Sequence, residues 1–305
     1  MATVALAGCG GGSTEAVTPG APPTPAGTLG FVIGARPQTF DPLLARTPSD
    51  RLVAGQVYEP LTRRLTGPYG ETARKPGLAL SATPGSNDTV WMVRLRSGVR
   101  FQDGANLNAS AVLANAERWR TTSEGQAVLP GLVAADAPRP DLVRFFFDAP
   151  NPDLVSQLAS ERLGIVSPRV LRSTHAEARL AHGASDGTGP FELHSHDVHG
   201  LLLVRNPTWW GTRKDLGPGV ELVDVRFASN SSRRLDLLRR DTVQVAEGLT
   251  PAQIPGLRRD PLLTDQAGRA GTRTGLERSV RDLRSAQVAP PLSQVWLTSI
   301  ATGTG

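Results

Sequence analysis

Cysteine is almost missing from this chain. Cys9 is the only one among 305 residues, so no disulfide framework forms within the chain and its thiol content does not mark a redox compartment. Long apolar runs are missing as well. No segment reaches the roughly 18 apolar residues of a membrane-spanning helix, so attachment to a membrane would have to come from lipid. Lysine is nearly absent too: only Lys75 and Lys214 are present among 33 basic residues. Such Arg-rich, Lys-poor usage reflects GC-rich coding rather than a binding surface. Aromatic residues make up 5% of the chain. None interleaves with the densest basic cluster, Arg233-Arg234 and Arg239-Arg240, so that cluster lacks the stacking platforms of a nucleic-acid surface. It brackets Leu235, Leu237 and Leu238, which reads as the solvated face of a short amphipathic helix. Gly-x-Ser-x-Gly, phosphate-loop and Cys-x-x-Cys patterns are all absent, which removes the commonest signatures of acyl transfer, nucleotide binding and thiol redox chemistry.

What remains is ordinary for a soluble globular protein: 39% hydrophobic and 20% charged residues, with a net charge of +5. Two carboxylate pairs, Asp136 with Asp141 and Glu221 with Asp224, could do acid–base work. Their spacing suits turns and strand faces equally well. His194, His196 and His199 form the one metal-like pattern. On a regular strand His194 and His196 share a face, and His199 could fold back across the turn Asp197–Gly200 to complete a set for zinc or nickel. Three solvated turn residues is the other reading. Leu6-Ala7-Gly8-Cys9 has the form of a lipobox, with Cys9 as the acylated residue. The Gly-, Pro-, Ser- and Thr-rich segment 10–28 behind it reads as a flexible tether. Met1–Ala5 supplies neither the basic nor the long apolar region of an export signal, so residues 1–9 read as a residual signal with its lipobox.

The period-two pattern of Val90–Leu95 predicts a strand. Ser97-Gly98 predicts a turn that returns Val99–Phe101 against it, and Asp103-Gly104 closes the unit. Asn108 then caps a helix carrying Val112, Leu113, Ala116 and Trp119. Trp91 and Trp119 read as core anchors. Leu142–Phe147 predicts a buried strand, Asn151-Pro152 the start of a helix, and Phe191–His194, Leu201–Arg205 and Val220–Phe227 further strands. Ser49 or Asp50 is expected to cap a helix ending at Val57.

This strand–turn–helix unit resembles the signature region of the family 5 extracellular solute-binding proteins, the dipeptide, oligopeptide and nickel class that feeds ABC importers. Further segments match in the family's order: Thr39–Pro42, Gln56–Leu61, Lys75–Ala79, Gly187–Phe191 and Val204–Trp210. The resemblance implies the bilobal type II periplasmic-binding-protein fold. Lobe I would comprise residues 29–58 and 187–268, with a small domain, 59–186, inserted between. Residues 269–305 would return to lobe I, and the second lobe would be largely missing. It also implies no enzyme activity, no cofactor, a small peptide-class solute, permease and ATPase partners, and an extracytoplasmic, lipid-anchored location. Residue by residue, it points to Arg46, Thr47 and Pro48 and to Ser123, Glu124 and Gln126 as cleft-facing. Arg46 would suit a carboxylate and Glu124 an amine; each could equally be an exposed loop side chain. The alternatives are a non-transporting remnant that serves as an interaction module, or a metal carrier through the His cluster.

Overall fold

A computed structural model describes residues 27–66, 72–85, 87–183, 186–211, 220–250 and 252–253, with the backbone of strands 263–267 and 274–278. Two packed bodies share these residues. The first is built on a mixed sheet that opens with β1 (Thr28–Ile33) and helix α1 (Pro48–Val57). Thr47 caps α1: its Oγ1 accepts from Asp50 N, and the Asp50 carboxylate accepts from Thr47 N. The expected cap at Ser49 or Asp50 is thus displaced to Thr47, because Pro48 is well suited to the first helical position and Asp50 completes a capping box.

The chain then enters the second body. The strands β2 (Thr62–Thr66) and β3 (Thr72–Pro76) pair antiparallel beside a four-stranded antiparallel sheet. That sheet has the order β4-β5-β7-β6, from β4 (Ala79–Pro84), β5 (Val90–Leu95), β6 (Leu132–Arg139) and β7 (Leu142–Phe147). The expected pairing of Val90–Leu95 with Val99–Phe101 does not form. β5 is an inner strand, flanked by β4 and β7, and both of its edges are already occupied. Residues 99–107 instead close a small loop of their own, with an Arg100–Asn106 bridge. Helix α2 (Ala109–Thr121) starts where expected, with Asn108 Oδ1 accepting from Ala111 N at 3.0 Å. Helix α3 (Ser123–Val128) follows directly. The helix expected from Asn151-Pro152 is reduced to one turn, α4 (Leu154–Gln157). Trp91, Val93, Phe145, Phe147, Val112 and Trp119 fill one core. The outward alternates Met92, Arg94 and Arg144 are more exposed, the pattern of a sheet with one wet face.

The chain returns through Ile165 and Val166. Asn115 of α2 holds this passage from both sides, donating to Val166 O at 2.8 Å and accepting from Val166 N at 3.0 Å. Two short helices, α5 (Pro168–Leu171) and α6 (Ala176–Ala181), precede β8 (Phe191–His196), β9 (Gly200–Arg205) and β10 (Leu222–Phe227). Helix α7 (Ser231–Arg239) then crosses to β11 (Val245–Ala246). With β12 (Leu263–Ala267) and β13 (Thr274–Arg278) the sheet order is β12-β13-β11-β1-β10-β9-β8. β1 is parallel to both β10 and β11, so β10–α7–β11 crosses over β1. Phe31, Ile33, Tyr58, Val166, Phe191, Leu203 and Val225 belong to its core.

One member of the basic cluster on α7 is not solvated. Arg234 is 6% exposed and donates to the carbonyls of Ala228, Ser229, Glu247 and Gly248 at 2.6–2.9 Å. These carbonyls lie just past the ends of β10 and β11. Burial lowers its pKa from the usual guanidinium value, opposed by the charge of Glu247.

The passages between the bodies lie against each other. Gly189 N donates to Val57 O at 2.9 Å. A Cβ on Gly187 would stand 2.0 Å from Val57 O, and one on Gly189 2.3 Å from Gln56 O. The Gly-Thr-Gly sequence is therefore the contact itself, since no side chain fits there.

Candidate functional site

Two struts fix the loop after β1 at the junction of the bodies. Asp41 is fully buried and caps a short 3-10 turn, Pro42–Leu44, through Leu43 N at 3.0 Å. Arg118 of α2 meets the same carboxylate with both terminal nitrogens, the Nη1–Oδ1 contact being 2.9 Å. A buried carboxylate this deep needs such a bidentate partner. Arg162 adds the second strut, its Nε donating to Leu43 O at 3.0 Å.

The loop presents Arg46 to α3. Arg46 Nη2 lies 3.4 Å from Glu124 Oε1, across 78 residues of sequence. Ser123 Oγ donates to the other oxygen, Glu124 Oε2, at 2.8 Å. Gly125 makes this placement possible, because a Cβ there would stand 2.1 Å from Trp119 O. Arg162 Nη2 reaches Glu124 O at 3.4 Å, and Arg51 Nη1 reaches Arg46 O at 3.2 Å. The hydrogen bond from Ser123 does most to lower the pKa of Glu124. Its own backbone N–H and the guanidinium groups of Arg46 and Arg162 add to the effect, while burial opposes it. Burial lowers the pKa of Arg162, as do the positive charges of Arg46 and Arg51; Glu124 opposes the shift.

Of the six residues expected at a cleft, Arg46, Ser123 and Glu124 therefore converge. Thr47 and Pro48 build the start of α1. Gln126 is turned inward, its Nε2 donating to Arg120 O at 2.9 Å and Leu132 O at 3.2 Å, where it joins α2, α3 and β6. Arg51 and Arg162 complete the cluster and are missed in the sequence. Nothing in their local pattern marks them, since their partners are carbonyls contributed by the loop after β1 and by α3.

The three histidines do not gather. The β8–β9 register slips between Leu193 and Ser195, so His194 and Ser195 together oppose Leu202. A bulge of this kind breaks the alternation that would put His194 and His196 on one face. His196 instead packs against Phe40 with the rings tilted by 48° and their centroids 4.6 Å apart, and its Nε2 sits 3.1 Å from His182 O. His196 and His199 line an open depression of about 590 Å³ that His194 does not join. Among the described residues no group of three His, Cys, Asp or Glu side chains could hold a metal. The candidate carboxylate pairs are likewise committed: Asp136 to Arg144, Asp141 to Arg139, Glu221 to Arg205 and Asp224 to Arg226. Cys9 and residues 10–26 of the segment behind it lie outside the described residues, as do residues 279–305. Thr28, at the end of the expected tether, is already in β1, paired with Leu222.

Comparison with known proteins decides the class. The family described as "Bacterial extracellular solute-binding proteins, family 5 Middle" matches residues 73–293. The chain belongs to this family. The class is not enzymatic. The family 5 chain is 31% identical over 238 residues to the probable D,D-dipeptide-binding periplasmic protein DdpA of Escherichia coli K12, covering 75% of this chain and 45% of that one. It is 28% identical over 249 residues to the glutathione-binding protein GsiB of Escherichia coli O1:K1, covering 81% and 44%. The chain spans about half the length of the curated relatives it matches. In fold it is similar to the periplasmic binding protein DppA of Helicobacter pylori in complex with the peptide STSA. That match has a TM-score of 0.70 at 23% identity and covers 78% of this chain and 50% of the other. A nickel ABC transporter structure from Bacillus halodurans matches with a TM-score of 0.65 at 22% identity, covering 78% and 46%. The mixed α/β fold is thus that of the family, over about half of the family's length.

Proposed function

We propose that this family 5 chain works as the extracytoplasmic solute-binding component of an ABC importer, taking a peptide-class solute and passing it to a permease driven by ATPase subunits. The observation that carries this reading is the meeting of Arg46 with Ser123 and Glu124, drawn from both bodies onto one exposed face. A guanidinium beside a carboxylate offers charge-assisted partners for both ends of a zwitterion. The names of the curated relatives, a D,D-dipeptide-binding and a glutathione-binding protein, support the peptide class. Import through a binding protein rests on closure around the solute, which requires contacts from both sides of the cleft in the closed state. The described residues supply one wall, so affinity from this wall alone is weaker than micromolar. Acylation at Cys9 would hold such a carrier at the membrane surface durably once more than one chain is attached.

Titration of the full chain with a dipeptide panel and with glutathione, followed by calorimetry and by backbone NMR shifts, tests the proposal. Saturable shifts centred on residues 46–51 and 123–126 are expected. A panel that produces no saturable shift anywhere would overturn it.

A further inference from the structure

Among the described residues the Arg46–Glu124 contact is one of the loose ion pairs, with Arg169–Asp103 at 4.0 Å and Arg233–Asp236 at 3.3 Å, rather than one of the two-bonded ones. Arg144 grips Asp136 with two bonds of 2.8 and 2.5 Å, and Arg205 grips Glu221 at 2.8 and 2.7 Å. Arg46 touches Glu124 through one nitrogen at 3.4 Å while its side chain stays 71% exposed. The tighter hold on Glu124 comes from Ser123. This is a loose pairing, open to exchange.

Around it the balance of charge is uneven. The charged groups that bear on Arg162 are Arg46, Glu124 and Arg51, so two of its three neighbours repel it. Asp50, beside Arg51 in the chain, is spent on the backbone amides of Gln38, Arg46 and Thr47. Each guanidinium carries five N–H donors. Among the described residues Arg46 uses one on an acceptor, Arg51 one and Arg162 two. A group of half-shielded guanidinium groups with spare donors and one weakly held carboxylate fits an anion with two oxygens better than it fits an amine.

We propose that Arg46, Arg51 and Arg162 form a receptor for the solute's carboxylate, and that Glu124 occupies it as a stand-in until the solute displaces it from Arg46. This rests on the solute-binding reading and assigns an end of the solute to each residue. The carboxylate goes to the arginines; Glu124, once displaced, is free to face the rest of the solute. Exchange of one carboxylate for another on Arg46 leaves the charge around Arg162 unchanged, so the three guanidinium groups never face each other unscreened.

The probe is the dipeptide Ala-Ala against Ala-Ala amide, which differs only in lacking the terminal carboxylate. Both are titrated into the full chain while the arginine Nε–H signals and the apparent affinity are followed by NMR. The free acid is expected to move the arginine signals and to bind about tenfold more tightly than the amide, one charge-assisted bond's worth. Arg46→Gln, at an exposed position that leaves the fold intact, removes that preference. Glu124→Gln, which releases Arg46 without changing what the two peptides share, widens the preference for the acid over the amide about two- to fivefold. Equal binding of acid and amide, or an unchanged or narrower preference in Glu124→Gln, overturns the carboxylate receptor and leaves the solute-binding reading standing. Saturable binding of neither peptide overturns the receptor, and the same silence across the wider panel overturns the solute-binding reading as well.

Discussion

The antiparallel and the mixed-sheet bodies solve the same burial problem from different parts of the chain. The antiparallel core is almost wholly local. All its buried residues except Leu43 lie between Leu61 and Ile165, and adjacent strands meet through short connections or through α2 and α3. The mixed-sheet core is assembled from distant pieces, with Thr28 of β1 paired to Leu222 of β10 and Tyr58 packed with Val166 and Val225. Parallel pairing forces this, because a crossover has to intervene between parallel neighbours. The mixed body can therefore complete its core only after the other has brought Val166 back beside α1. Cores rich in local contacts form sooner than those built on distant pairings.

Substitutions can break this contrast in graded ways. Trp119, 1% exposed, anchors the antiparallel core. Trp119→Ala is expected to cost about 4 kcal/mol, read as a lower urea midpoint. Amides of β5 and β7 should open to hydrogen exchange while those of β1 and β10 keep their protection. Equal loss in both bodies would show that they are one cooperative unit.

Arg118→Ala attacks the joint rather than either core. It strands the fully buried Asp41 carboxylate without its partner, at a cost of about 3 kcal/mol. Arg118→Ala with Asp41→Asn should recover part of that loss in thermal denaturation, because the buried charge is gone. Asn108→Ala removes a single helix cap and is expected to cost about 1 kcal/mol, confined by hydrogen exchange to the first turn of α2.

The smallest effects are those of pH, and they run in opposite directions in two places. Burial raises the pKa of Asp186, as does the neighbouring charge of Asp103, against Arg179 and Arg169. Its contribution to stability is present at acid pH and lost as pH rises through its folded value. Asp186→Asn should therefore raise the melting temperature at neutral pH and leave it unchanged in acid. Glu124, whose pKa is lowered chiefly by Ser123, contributes above the ordinary carboxylate range and loses that contribution as pH falls through its folded value. Glu124→Gln should lower the melting temperature slightly at neutral pH only. Matching profiles for the two variants would refute this assignment of signs.

The legible parts of the sequence are those whose cause is local. Asn108 at the head of α2, Trp91 and Trp119 in the core, and β7 over Leu142–Phe147 follow from capping and alternation within a few residues. Partner choice is not local. The alternation of Val90–Leu95 reveals a strand, yet gives no sign that β4 and β7 occupy both its edges. β6 is hidden because Leu132 alone is fully buried along it and bulges interrupt its pairing. The same irregularity defeats the histidine reading, since one bulge at His194 and Ser195 cancels a pattern that assumes strict alternation. Arg234 looks like a surface charge because its four acceptors are carbonyls from other segments. In the site, resemblance to the family brought Arg46 and Glu124 forward from separate loops. Arg51 and Arg162 carry no such mark and emerge only from the packed structure.

The Gly-Thr-Gly contact with the end of α1 has a consequence for how such a molecule changes over generations. At this doorway the two passages meet backbone to backbone, and Asn115 and Arg118 brace the antiparallel body around it. What is threaded through it can lengthen or shrink at its far loops without disturbing the strands behind, so long as the two glycines keep the door shut and Asn115 and Arg118 stay within reach of it.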